Sequence, residues 1–465
     1  MVALYGTALV EVTSAVMAEL ARGKRPERSH QAEFSIGSAG MPSMSDGFYN
    51  RSGPPTYSSL IEPQKDQPRD GLSGRYPNDR FPAFAALAAA TKGLPVFGDH
   101  VDDLKRSFLE MQFGATLDCH FNKFGEVVAT PETARSVVLP PVRALLDDDL
   151  DLALLAPVAL TRFDFRAMRL TPNIFLMKMS PAVQRARWSA KAYGGARGHD
   201  SVLAAATHAF VVTGWRIDNH GYMNLGHSLA RPWSNATEEL ERIFAAFRLV
   251  TGIETGYAQE IRLARGWRSF GQAIRPEVSA APARKYPEAF DDFAWTRDDL
   301  PCVSKDQMRT VGDLLQQVGR LDDPRLALAM RRLNAAATRG DLSDAILDAV
   351  IGLEILLGDK NNESISWKLR MRAAALVGLE VDRTEMQKVY DEVSAIYTER
   401  SVIVHGLKRK AKAPSAADAR HLAIELLRRV LGLIVRNPRF LDPIKIDQEL
   451  MLSPAFERLP GRGSS

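Results

Sequence analysis

The residues with the clearest chemical potential are Arg400 and His405, in the run Arg-Ser-Val-Ile-Val-His. Arginine is a fixed cation whose planar fork matches phosphate oxygens. Histidine takes or gives a proton near neutral pH. Cleavage of RNA by attack of its own 2′-hydroxyl needs both functions: a proton shuttle and a charge clamp on the pentacovalent phosphorus. His405 stands one residue before Gly406, a natural helix terminator, and the negative end of a helix dipole favours a protonated imidazole.

Helical geometry constrains the pair. Five residues turn an ideal helix by about 140°, so Arg400 and His405 do not share a face, whereas Ser401 and His405 do. Either the last turn is distorted or the two groups meet partners from another protomer, and a two-fold homodimer would build such a composite site. The next stretch, GLKRKAKAPSAA, carries Lys408, Arg409, Lys410 and Lys412 with no acid before Asp418. A basic loop of this kind attracts a phosphate backbone without reading bases, or is simply a solvated loop. The Arg-x4-His spacing alone is unspecific, since Arg25 and His30 repeat it in a Pro/Ser-rich segment.

The elements that must position these residues form an all-α region from 301 to 440. KDQMRTVGDLLQQVGRL carries Met308, Val311, Leu314, Leu315 and Val318 on one stripe. Asp323-Pro324 opens a second helix. Ser343 caps a third that Gly358 closes, and a fourth stops at Gly378. Thr384 with Gln387 forms a capping box for a fifth that ends at Gly406, and Ser415 and Asp418 open a sixth that Asn437-Pro438 ends. Six helices on short connections predict a bundle. The tail, 441–465, reads as loosely docked.

Upstream, 83–300 has the texture of an α+β domain. RFDFRAMRL and NIFLMKM read as two strands across Thr171-Pro172, and ATHAFVVTGWRI and the run around Glu260 to Leu263 as two more. NATEELERIFAAFRLV reads as a helix capped by Asn235. The first twenty residues have helical potential, but 21–82 is crowded with Gly, Pro, Ser and charge, so 1–82 is expected to be a flexible segment.

Composition bounds the rest. The chain has 465 residues with 60 Lys+Arg against 56 Asp+Glu, a net charge of +4, too mild to mark the whole chain as a nucleic-acid coat. Two cysteines, Cys119 and Cys302, exclude a disulfide framework and a multi-thiolate zinc site, and suit a reducing compartment. The apolar run Leu152–Leu160 is far short of a bilayer span, and Glu11 and Glu19 interrupt the apolar N-terminus, which lacks a basic flank. A cytoplasmic protein with no membrane contact is expected, and no cofactor.

From about 343 to 406 the chain resembles the Apea-like branch of the HEPN superfamily (higher eukaryotes and prokaryotes nucleotide-binding). The resemblance is carried by LEILL (353–357), KLRMRAAAL (368–376) and YTERSVIVHG (397–406). It implies a helical bundle, commonly dimeric, acting as a metal-independent ribonuclease whose Arg and His lie between protomers. On that basis Arg400 clamps phosphate and His405 is the acid/base. Ser401 stands where many members carry Asn, Asp or His. Glu354 orients Arg400 or forms an interhelix ion pair, while Arg370 and Arg372 line the cleft or are solvated. The resemblance further implies an antiviral defence effector with toxin-like RNA cleavage. The middle domain is expected to sense or restrain this activity, with a protein or small-molecule activator acting through it.

Two rivals stand beside it. One is a non-catalytic dimerisation or nucleotide/RNA-binding module with Arg400 and His405 structural. The other gives the function to the middle region, as a binder of protein or carbohydrate. Remaining candidates read as structural: Asp218, His220 and His227 as loop and strand-end residues, GGARG (194–198) as a turn, and Cys119-His120 as a buried pair. Trp188, Trp215, Trp233 and Trp267 read as core or partner surface.

Overall fold

The computed structural model describes residues 1–45, 53–62, 74–190, 199–221, 228–229, 234–266, 278–292, 299–359, 364–407 and 414–452. A mixed helix-and-sheet region is followed by a succession of helices toward the C-terminus.

The sheet-bearing region centres on six antiparallel strands in the order β11-β10-β5-β9-β8-β7. They are β5 (Asp149–Pro157), β7 (Ala167–Arg169), β8 (Ile174–Lys178), β9 (His208–Asp218), β10 (Tyr257–Ala264) and β11 (Ser279–Lys285). Short pieces complete the numbering: β1 (Glu27–Arg28), β2 (Glu33–Ile36), β3 (Pro42–Ser45), β4 (Pro55–Thr56), β6 (Arg162–Phe163) and β12 (Cys302–Val303). Of the two strands expected across Thr171-Pro172, the second is β8, while the first is split into β6, which pairs with β12, and β7; β7 and β8 pair Met168↔Leu176. Strand β5 shows why alternation is legible: Leu150, Leu152 and Leu154 are buried while Asp149 and Asp151 are exposed.

The helices are α1 (Val2–Ala21), α2 (Pro82–Thr91), α3 (Asp102–Phe124), α4 (Pro131–Leu146), α5 (Pro181–Ala190), α6 (Asp200–Ala204), α7 (Ser234–Thr251), α8 (Lys305–Leu321), α9 (Pro324–Thr338), α10 (Leu342–Leu357), α11 (Ile365–Val377), α12 (Arg383–His405) and α13 (Ala416–Arg436). Helix α7 lies on the sheet through Phe244 and Phe247, whose rings meet Phe210 at 5.2 and 6.0 Å. It starts at Ser234, so Asn235 falls inside the helix rather than capping it. In the C-terminal region α9 packs on α10, α10 on α13, and α11 on α12. Gly312 lets α8 approach the sheet region, since a Cβ there would stand 2.9 Å from the Leu170 carbonyl oxygen.

Two caps differ from the sequence reading. Asp341, not Ser343, caps α10 by accepting from the Asp344 amide at 2.8 Å. Asp382, not Thr384, caps α12 through the Glu385 amide at 3.1 Å. In both, a carboxylate upstream of the hydroxyl takes the orphan amide, and aspartate caps as well as serine.

The N-terminal segment expected to be flexible is packed where it is described. Tyr57 stacks on Phe121 at 4.5 Å, and Tyr76 joins Phe81, Phe84 and Phe113 in an aromatic cluster. The carboxylate of Glu11 accepts from the Ala83 and Phe84 amides at the start of α2, and Glu19 pairs with Arg22 and Lys24. The charges that break the apolar pattern of α1 thus have intramolecular partners. Among the described helices, α1 is long and apolar enough, by length and composition, to cross a membrane. Here Tyr5, Leu9, Val12 and Val16 are fully buried in the core. The C-terminal tail is likewise docked as far as it is described, with Ile446 and Leu450 buried. Among the described residues, one core cluster runs from Tyr5 through Leu152 and Phe210 to Leu427 and Leu450.

Candidate active site

Helix α12 carries the two residues of interest. Its C-terminal end is a Schellman motif: the Leu407 amide donates to the Val402 carbonyl at 3.0 Å and the Gly406 amide to the Ile403 carbonyl. Gly406 takes φ +60°, the left-handed conformation that glycine adopts without a Cβ penalty. Because α12 stays helical through His405, the angular separation of Arg400 and His405 is preserved. No distorted last turn brings them onto one face.

Arg400 is half-buried and lines a groove of about 930 Å³ together with Glu354, Tyr397, Lys368, Arg325 and Asp359. Its Nε lies 3.5 Å from Glu354 Oε1, close enough for ion pairing. No hydrogen bond forms at that separation, and the Nε is buried with none among the described residues. The guanidinium also rides over the Tyr397 ring at 5.5 Å. Burial pushes the Glu354 carboxyl upward, and the Arg400 charge opposes that rise. Burial likewise raises the Tyr397 phenol, which stays neutral.

The other groove cations are committed elsewhere. Lys368 Nζ sits 2.9 Å from Asp359 Oδ1. Arg325 spends its fork on the carbonyls of Ile355, Gly358 and Leu441, closing the C-terminal end of α10. Arg400 is therefore the groove cation held most loosely among the described residues.

His405 does not line this groove; it is exposed at the end of α12, flanked by exposed Val404 and Leu407. Ser401 is half-buried beside Arg400 in sequence. The structure thus brings Arg400 and Glu354 together and leaves His405 apart within one copy of the chain. Lys408, Arg409, Lys410 and Lys412 lie outside the described residues.

Arg372, expected at the cleft or in solvent, is instead buried at 2% exposure. It donates to Asp447 at 2.6 Å, Asp359 at 2.8 Å and the Leu357 carbonyl at 2.6 Å. A buried guanidinium needs such partners, and this set ties α11 to the C-terminal segment. Arg370 turns the other way, onto Tyr390 at 5.3 Å and Ser394 Oγ.

Of the remaining candidates, His220 is exposed and pairs with Asp218 at the end of β9, which lowers the carboxyl and raises the imidazole. His120 is fully buried and bonds the Val127 carbonyl at 3.0 Å, while Cys119 is half-buried. Trp188 is core and Trp215 partly so. His227, 194–198, Trp233 and Trp267 lie outside the described residues. No group of three or more potential metal ligands occurs among the described residues.

The sequence reading gave no role to Tyr397, Lys368, Arg325 or Asp359. Tyr397 had a local signal, lying three residues before Arg400 on the same helical face. The others come from α9, α11 and the loop after α10, a convergence no local pattern encodes. No family model, no curated protein and no solved structure matches this chain.

Proposed function

We propose that the chain is an RNA-cleaving protein of the HEPN type, working as a dimer in which Arg400 and His405 act from different copies. In this scheme the 2′-hydroxyl attacks phosphorus and the P–O5′ bond breaks. His405 takes the hydroxyl proton and returns one to the departing 5′-oxygen, leaving a 2′,3′-cyclic phosphate and a 5′-hydroxyl. Arg400 neutralises charge on the phosphorane. The reading rests chiefly on Arg400, a groove-lining guanidinium with no hydrogen bond among the described residues. The exposed apolar neighbours of His405, Val404 at 51% and Leu407 at 57%, are the kind of surface a second copy would cover.

The test is incubation of the full chain with total RNA in EDTA, beside Arg400→Ala and His405→Ala. Cleavage to cyclic-phosphate ends, lost in both variants, supports the reading; intact RNA at every concentration counts against it.

A second reading, a non-catalytic dimerisation or RNA-binding module, draws on the same geometry. Arg400 already touches Glu354 and Tyr397, and His405 is absent from its groove. In that case RNA is retained but never cut.

A further inference from the structure

A second pocket, of about 480 Å³, opens between α7, β10 and α9 and shares no residue with the Arg400 groove. Arg248, only 3% exposed, lies in its wall. Its guanidinium donates to the Asn334 side-chain oxygen and the Thr255 carbonyl, both neutral acceptors, and its Nε makes no hydrogen bond among the described residues. Burial lowers this guanidinium to about 10, so it remains a cation at neutral pH. Tyr257, 1% exposed, stacks on Phe244 at 5.0 Å, and its hydroxyl also lacks a partner. Burial raises the phenol well above its ordinary value, which keeps the hydroxyl a donor.

Two carboxylates, Glu238 and Glu241, also line the pocket beside the cations Lys285 and Arg331. Glu241 pairs with Lys285 at 3.2 Å and accepts from the Asn334 amide at 2.5 Å. The Glu241 and Glu254 charges support the Arg248 cation, but its Nε and the Tyr257 hydroxyl are buried with no acceptor among the described residues, which is costly unless something supplies one. The space is ample: a water fills roughly 30 Å³, and small-molecule pockets run from about 300 to 1,000 Å³. Phe244 and Ala335 give the pocket an apolar wall.

We propose that this pocket binds a small organic oxyanion, a carboxylate or a phosphate ester. Its oxygens accept from Tyr257 Oη and Arg248 Nε, and its carbon body lies against Phe244 and Ala335. Such a ligand bridges the sheet-bearing region to α9 of the helical region. The site involves neither Arg400 nor RNA, so it stands or falls separately from the nuclease reading.

The test uses the full chain in isothermal titration with succinate and with glycerol 3-phosphate as the two arms, for wild type and Tyr257→Phe. The substitution removes one hydroxyl that no atom of the described residues engages, so the fold is kept, and thermal unfolding without ligand checks this. Saturable one-to-one binding in either arm is expected, and the arm that saturates identifies carboxylate or ester. Tyr257→Phe should bind about tenfold more weakly, as for one lost hydrogen bond to a charged group. No saturation in either arm up to about 10 mM, or equal binding by Tyr257→Phe, overturns the proposal.

Discussion

Arg400 faces Glu354 across the gap between α12 and α10 at 3.5 Å, within ion-pairing reach but without a hydrogen bond. A half-exposed pair of this kind is worth about 0–1 kcal/mol. Burial already disfavours the Glu354 carboxylate. Glu354→Gln is therefore expected to change unfolding free energy by less than ~1 kcal/mol, measured in urea. Because it removes an acid beside a groove cation, it should also tighten RNA retention at low salt. Weaker retention by the variant would mean that Glu354 orients Arg400 rather than merely offsetting it.

Arg372 is the opposite case. It is buried and bound by two carboxylates and a carbonyl, so truncation leaves Asp359 and Asp447 without their shared cation. Arg372→Ala should destabilise by about 1–3 kcal/mol, a cost set by the lost charged hydrogen bonds and the unpaired Leu357 carbonyl, since Asp359 keeps Lys368 and Asp447 is partly exposed. Denaturation midpoints check this, and limited proteolysis should show the segment after 441 released first. A loss below about 1 kcal/mol would place the network among ordinary surface pairs.

Two buried histidines set a pH dependence. Burial lowers both His120 and His208, with bonds to the Val127 and Phe165 carbonyls opposing the shift only in part. Their folded-state values lie below the unfolded value near 6.5, so the unfolded chain binds more protons over that interval. The stability they contribute is present above pH ~6.5 and is lost as pH falls toward the folded values. The urea midpoint should drop between pH 7 and pH 5, and less so in His208→Asn. An unchanged drop in that variant would assign the acid sensitivity to other groups.

Gly406 isolates a backbone effect. It sits at φ +60°, and a Cβ built there meets nothing within 4 Å, so substitution costs conformation and not packing. Gly406→Ala should destabilise by about 1 kcal/mol and Gly406→Asn by less, because asparagine tolerates the left-handed region. Equal loss from both would point to a contact outside the described residues.

Much of the frame was legible because its signals are local. Gly406, Ser415 and Asp323-Pro324 mark helix ends with chemistry confined to one turn. Strand β5 was missed although its alternation is local, because Leu152–Leu160 reads only as an apolar run. Two caps were misplaced by two residues, onto Ser343 and Thr384, because a nearby aspartate competes for the amides at the helix start. The larger errors arose where the deciding partner is remote in sequence. Residues 21–82 lack periodicity, yet Tyr57 and Tyr76 are anchored by Phe121 and Phe113 on α3. Glu11 looked like an interruption of an apolar helix because its partners, the amides of Ala83 and Phe84, lie seventy-two and seventy-three residues away. At the site, the spacing of Arg400 and His405 correctly implied different faces. The committed roles of Lys368 and Arg325 required knowing which helices meet.

The most direct measurement co-expresses Arg400→Ala with His405→Ala and assays the mixed population on RNA in EDTA, each variant alone serving as control. If Arg400 of one copy works with His405 of the other, the heterodimer retains one intact site of two. Random pairing then restores about a quarter of wild-type activity, while each variant alone is silent. If activity is absent from wild type, or present in wild type but not restored by mixing, the composite site is contradicted.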